Sequence, residues 1–275
     1  MPLPPHGRDQ KATLDRPLTS ITAEKLAEVL RLHEMFRNAR AGGRRAVLSS
    51  YDLAGADLAG RDLAHADFVG ASLRGANLSG ARLDGSILFA CDLRLANMER
   101  ASLIRTDLRG ASLRGAVLIG ANLFEADLRD GVLAARDTTG NIRMIDPEAQ
   151  PIAAAGADLT GANLTNSRLS GAMAARTDFS DAIMRGCKLV RANVKGANFS
   201  GCNLEGADLA AADLRGATFQ GAVLTGARLD HANLTGAVMD DVLTDKLQGR
   251  SPEELARGIH ELLQDHLLYI GSNGS

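Results

Sequence analysis

A large apolar residue recurs at every fifth position over most of this chain, and that spacing restricts the possible folds more than any other feature. Stepping by five from Leu48 to Leu133, and again from Leu159 to Met239, gives 35 positions, which we call centres. Only Ala174 among them is not a large apolar residue, and alanine fills 25 of the positions two before a centre. Helices and strands repeat about every 3.6 and 2 residues, so neither accounts for a period of five.

The period predicts a solenoid in which two of every five side chains, one large and one small, point into a narrow interior. Solenoid repeats bury a core only by stacking on their neighbours, so the array must be long and its ends covered. In the second run, phenylalanine recurs at every fourth centre, as Phe179, Phe199 and Phe219. That interval predicts four units per coil and a stacked ladder of phenylalanine rings.

The repeat units resemble those of the pentapeptide-repeat family, whose pattern is A(D/N)LXX. Units such as ADLAG, ANLSG and ADLTG match the pattern literally, and the resemblance covers residues 46–241. It implies an all-β solenoid, specifically a right-handed quadrilateral β-helix with short strand-like sides. With a coil spacing of about 4.8 Å, the rod would be on the order of 40 Å long.

Six segments follow from this pattern, including an α-helical segment at each end of the solenoid. They are a flexible tail (1–21), a capping helix (22–43), a first solenoid run (44–135), an inserted loop (136–156), a second solenoid run (157–241), and a linker with a C-terminal amphipathic helix (242–275). The first helix is expected to begin at Thr22 and to stop at Gly42–Gly43, with an apolar side formed by Leu26, Leu30, Leu32 and Phe36.

The C-terminal helix has a clear predicted start at Ser251, followed by Pro252 and Glu254. It could cap the solenoid, pair with a second copy to form a homodimer, or do both. Its similarity to the first helix also suggests that residues 255–275 begin a further cap, with more chain after Ser275. The apolar stripe expected to mediate association is Leu255, Ile259, Leu262, Leu263 and Leu267.

The inserted loop lies between the centres Leu133 and Leu159, whose separation is one position more than a whole number of repeat units. The segment NIRMID fits a short hairpin arm. One interpretation is a tolerated surface loop, and the other is a recognition loop, because loops on rigid scaffolds often carry binding residues. In the second interpretation the contacts would come from Ile142, Met144 and Ile145.

The residues that usually carry chemistry do not form a recognisable catalytic or metal-binding motif. Cys91, Cys187 and Cys202 all fall in the small inward position, where a thiol acts as a compact apolar group. We therefore predict no catalytic residue, no cofactor and no metal. The sequence also has no evident signal peptide or membrane span, so we expect a cytoplasmic protein without direct binding to nucleic acid or membrane.

Outward-facing arginines are the most distinctive candidate surface. Arg74, Arg94 and Arg114 each follow a centre and recur once per predicted coil, while Arg109 and Arg129 follow Phe89 on the neighbouring side. They are either solvated arginines paired with nearby aspartates or a basic strip for an acidic protein partner or phosphate groups.

The resulting hypothesis is a non-enzymatic rigid scaffold for an unidentified protein partner. Some members of the resembled family act as acidic mimics of DNA that protect DNA gyrase from quinolones. That is the alternative function here, with a dimer formed through the C-terminal helix. Residues 52–240 contain 22 acidic and 19 basic residues, so near-neutral faces are expected and argue against it.

Overall fold

The computed structural model of the chain describes residues 18–129 and 156–245, together with the backbone of 134–136 and 142–144. Its regular elements are, in chain order, β1 (Thr19–Ser20), α1 (Ala23–Arg37), β2 (Tyr51–Asp52), β3 (Ala134–Arg136) and β4 (Ile142–Met144). The rest of the described solenoid is held together by single-residue parallel bridges instead of long strands.

Four five-residue units complete one coil, because the bridges join each unit to the fourth unit after it, as in Asp57 to Asn77 and Asn77 to Asn97. We name the four ladders of stacked units rows A, B, C and D, and the chain visits them in that order. The first coil that contains all four has Asp52 in row A, Asp57 in row B, Asp62 in row C and Asp67 in row D.

Hydrogen bonding explains why a unit has five residues, as residues 76–80 illustrate. The Asn77 and Leu78 amides donate to the coils on either side, at 2.9 and 2.6 Å, and the Gly80 amide donates to the next coil at 2.8 Å. The Ala76 amide closes a tight turn, and the Ser79 amide donates to Asn77 Oδ1 at 3.2 Å. Gly80 has a φ of +61°, a conformation that glycine adopts without steric cost. All five amides are therefore satisfied, and the Asx residue before the centre is part of that scheme.

The core consists of the centres and the small residues two positions before them. Phe179, Phe199 and Phe219 stack with ring centroids 5.0 and 4.9 Å apart and nearly parallel planes. The predicted phenylalanine ladder is thus confirmed. The three cysteines are buried and carry free thiols, in the positions that alanine takes elsewhere.

The two runs form one uninterrupted stack. Across the insertion, Val117 bridges Asp158 in row B and Asp127 bridges Arg168 in row D. The sequence separation between stacked partners widens there from 20 to 41, so the insertion lengthens a single coil by four units and one further position. Ala134 and Ala135, which the sequence assigns to the first run, lie in β3, which pairs antiparallel with β4. The hairpin takes these two residues out of the repeat because its own ladder uses their backbone groups.

The N-terminal end differs from prediction in two details. Thr22 caps α1 as expected, with its hydroxyl accepting from the Lys25 amide at 3.2 Å, but the helix ends at Arg37, before the glycine pair. Part of the segment predicted to be a flexible tail is ordered as β1, which pairs in parallel with β2. The chain before the helix thereby uses the open backbone groups at the start of row A.

The side of α1 that faces the solenoid is also different. Phe36 is 41% exposed, whereas His33 is fully buried and its Nδ1 accepts from the Ala46 amide at 3.0 Å. Arg37 reaches Asp62 at 3.2 Å. Burial lowers the pKa of His33, which keeps the imidazole neutral and able to accept this bond. Leu26 and Leu30 still pack against the core as predicted, so the departure is confined to the end of the helix, where His33 and not Phe36 is buried.

Candidate protein-interaction surface

Row A carries the predicted arginine ladder. Arg74, Arg94 and Arg114 follow the bridge residues Ser72, Asp92 and Ser112, which pair from coil to coil. All three side chains are exposed. Successive coils of a β-ladder are about 4.8 Å apart, so the three guanidinium groups project from a single line along the solenoid.

Only the central arginine of this ladder is neutralised. Arg94 donates twice to Asp92, at 2.7 Å from Nε and 2.6 Å from a terminal nitrogen. Burial disfavours the ionised carboxyl, yet the hydrogen bonds from Arg94 outweigh it and lower the pKa of Asp92. Arg74 and Arg114 follow serines, which offer no carboxylate. Neither forms an ion pair with any described residue.

The basic strip continues beyond the insertion, although the sequence pattern does not indicate this. Lys195 and Arg215 follow the row A centres Val194 and Leu214, and Arg176 occupies the turn after Ala174. The continuation was missed because the extra position in the insertion shifts the numbering of every later row. Among its described outward residues, row A has three acids and six bases: Asp52, Asp92 and Asp213 against Arg74, Arg94, Arg114, Arg176, Lys195 and Arg215.

The insertion is attached to the solenoid across row A. Arg129 is the last described residue of row D before it, and the Gly156 amide after it donates to Ala175 in row A at 3.2 Å. Ile142 and Met144 belong to β4, but their side chains and Ile145 lie outside the described residues. The insertion thus follows row D and the chain rejoins the solenoid at row A, the row that carries the arginine ladder.

The row D arginines are held by their own aspartates. Arg109 donates to Asp107 at 2.8 and 2.7 Å and lies over the Phe89 ring, 5.6 Å from its centroid. Arg129 binds Asp127 in the same way, at 2.8 and 2.6 Å. These contacts raise the pKa of both arginines and fix their direction. At these two positions row D therefore presents compensated charges, unlike Arg74 and Arg114.

Row B is acidic, and here the expectation of near-neutral faces is wrong. Its described outward residues include one base, Arg100, which contacts Glu99 at 3.7 Å. The remaining acids form no ion pair with a described residue, so opposite charges are segregated onto adjacent rows. The net charge hides this separation because it sums over all four rows. These acids are Asp57, Asp158, Asp178, Asp181, Asp240 and Asp241.

Within the described ranges 18–129 and 156–245, no group of three or more His, Cys, Asp or Glu residues is placed to hold a metal ion. Burial raises the pKa of the Cys187 thiol to about 12, and it also raises the pKa of the other two cysteines, so all three are poor nucleophiles. The predicted association stripe from Leu255 to Leu267 lies outside the described residues. None of the helices in the described part is long and apolar enough to cross a membrane.

A comparison of the sequence with models of protein families agrees with the repeat geometry. The model of the family described as pentapeptide repeats matches eight copies, at residues 52–88, 91–130, 155–189, 187–226 and 202–241. The chain belongs to the pentapeptide repeat family. As a pentapeptide repeat protein it is a right-handed β-helical solenoid.

Solved pentapeptide repeat proteins are among the similar structures. HetL, involved in heterocyst differentiation regulation in the cyanobacterium Nostoc sp. strain PCC 7120, is 27% identical, with 82% of this chain and 98% of HetL covered and a TM-score of 0.33. Full-length QnrB1, a plasmid-mediated fluoroquinolone resistance protein, is 22% identical, with 81% and 97% covered and a TM-score of 0.39. In the comparison with curated protein sequences, none matches this chain.

Proposed function

We propose that this pentapeptide repeat protein is a non-enzymatic scaffold that binds an acidic protein surface through row A. The solenoid would act as a four-sided rod, closed at its N-terminal end by α1, that displays side chains at fixed spacing without turnover. Its three buried free thiols fit a reducing compartment, so we expect it in the cytoplasm.

The observation that carries this proposal is a set of exposed cations in one row that make no direct ion pair with a described residue. Arg74, Arg114 and Lys195 are exposed and make no ion pair with described residues, while rows C and D hold most of their arginines in internal pairs. A complementary acidic surface would therefore not have to break internal ion pairs at these positions. Complementarity of this kind increases association rate and specificity more than raw affinity.

A protein partner fits better than an extended polyanion such as DNA. The chain has a net charge of −2, and row A adjoins row B, where five of the six acids without an ion pair lie after the insertion. Nucleic acid binding depends on neutralising many phosphates, and the adjacent acids would oppose a duplex that extended past row A. A protein can instead confine its acidic groups to the width of one row.

The test compares two triple variants of the full chain. Arg74→Ala/Arg114→Ala/Lys195→Ala removes three of the four row A cations that make no ion pair with described residues, and Arg105→Ala/Arg185→Ala/Arg228→Ala removes the same charge from ion-paired arginines in rows C and D. In quantitative capture from native cell lysate, we expect the row A variant to lose partners that the control retains, by about tenfold or more. The loss should grow as salt falls below physiological ionic strength. Identical capture by both variants would remove row A from the proposal.

A second candidate function is regulation of DNA topology by an acidic face, and row B favours it. Asp158, Asp178 and Asp181 form no ion pair with described residues there, so the solenoid has a local acidic surface despite its small net charge. This function would be tested by titrating the protein into a DNA gyrase supercoiling assay with and without a quinolone. Inhibition or protection that disappears in Asp158→Asn/Asp178→Asn/Asp181→Asn would promote this function. No effect at large molar excess would eliminate it.

A further inference from the structure

The two ends of the described solenoid are covered to different extents. At the N-terminal end, α1 and Ile21 pack against the core, and the first four centres, Leu48 to Leu63, are at most 2% exposed. At the C-terminal end, the centres Leu229, Leu234 and Met239 are only partly buried, although they occupy the same position in the repeat. The difference arises because no described element lies beyond them.

The backbone amides of these three centres also lack a partner among the described residues. The amides of Leu229, Leu234 and Met239 have no acceptor among the described residues, whereas the corresponding amide of Leu224 donates to Leu243 at 2.7 Å. Partly exposed centres and open amides at the end of a solenoid promote end-to-end association unless something covers them.

We propose that the chain's own segment 246–275 docks on this end of the solenoid and covers Leu229, Leu234 and Met239. Asp245, the last described residue, is already anchored there, since its carboxylate accepts from the Gly226 amide at 2.6 Å. The segment that follows contains the apolar stripe of Leu255, Ile259 and Leu263 at helical spacing. At the other end, a helix as short as α1 is enough to bury the first centres.

The length of the connection favours the same chain over a second copy. Residues 246–250 can span at most about 17 Å, which exceeds one side of a coil, because each side consists of five residues that include a turn. A tethered segment with so short a connection has an effective concentration in the millimolar range, about a thousand times that of a second copy at micromolar concentration. Intramolecular docking therefore outcompetes pairing between chains for the same surface.

The experiment measures hydrogen–deuterium exchange in the full chain. Ile259→Asp/Leu263→Asp places charge in the stripe, and Gln264→Asp is the matched control on the opposite side of the same predicted helix. We expect the stripe variant to accelerate exchange of amides in residues 222–243 by about tenfold or more, with residues 48–73 unchanged, because only the uncovered end opens locally. The control should exchange like the unmodified chain.

Two results would overturn the proposal. Exchange in residues 222–243 that is the same in the stripe variant and the unmodified chain would show that the segment does not cover this end. Protection of the end that rises with protein concentration, together with a dimer in light scattering, would assign the surface to a second copy. Unchanged exchange in residues 48–73 shows in each case that the solenoid remains folded.

Discussion

The solenoid runs before and after the insertion share one backbone but differ in their side chains. In the first run, arginines bind the aspartate two positions earlier, as in Arg94 with Asp92. In the second run, hydroxyls commonly take that place, as in Ser180 with Asp178 at 2.7 Å. The core differs too, since row B of the second run contains the three stacked phenylalanines. The backbone therefore depends on the inward residues and the Asx residue, and the position after the centre is free to specialise.

The largest expected effect distinguishes the cores of the two runs. Phe199 lies between two other rings and is fully buried, so Phe199→Ala should lower the free energy of unfolding by about 3–5 kcal/mol. Phe199→Leu gives row B the residue that the first run uses at Leu78, and should cost less. Urea unfolding followed by circular dichroism measures both. Equal losses would show that a leucine side chain recovers no stability at this position and that the stacked ring itself carries the stabilisation.

A change with an intermediate effect tests the Asx residue before the centre, which both runs share. Asp178 accepts from the Ser180 amide at 2.9 Å, the Ser180 hydroxyl and Asn198 Nδ2. Asp178→Ala leaves the Ser180 amide without its acceptor and should cost about 1 kcal/mol. Asp178→Asn keeps an acceptor oxygen and should cost clearly less. If both variants lose the same stability, the negative charge and not the hydrogen bond is what matters at this position.

The smallest effect concerns the arginine–aspartate pairs of the first run. Although burial disfavours the ionised carboxyls of Asp92 and Asp127, hydrogen bonds from Arg94 and Arg129 outweigh it and lower the pKa of both aspartates. A lowered pKa stabilises the fold above the unfolded value of about 3.9 and loses that contribution as pH falls through the folded value. Arg94→Gln/Arg129→Gln should therefore cost up to about 1 kcal/mol per pair at neutral pH.

Thermal unfolding at a series of pH values measures this difference. The melting temperatures of the unmodified chain and the double variant should differ at neutral pH and converge as pH falls through the lowered pKa of the two carboxyls, because these become protonated in both proteins. Arg215→Gln is the matched change in the second run, since it also removes an arginine from an aspartate pair. A difference that persists at low pH would mean that the arginines stabilise the chain by packing alone.

The period of five was enough to predict the inward residues, the four units per coil and the phenylalanine ladder, because these depend only on local spacing. The helix cap at Thr22 could be predicted for the same reason, because its signal lies in neighbouring residues. His33 was not predicted, because its burial requires the Ala46 amide, distant in sequence, to lie within hydrogen-bond distance. The exposure of Phe36 could not be predicted either, because it depends on the orientation in which α1 packs against the solenoid.

The sequence by itself determined the repeat, since a large and a small apolar residue in every five can bury themselves only by coiling. Only the tertiary structure decided which outward residues share a row after the insertion. Lys195 and Arg215 joined Arg74 and Arg114 in row A, and six acids without an ion pair among the described residues gathered in row B. Charge segregation depends on through-space alignment of distant coils, and an insertion changes that alignment in the sequence numbering while leaving the stack itself unbroken.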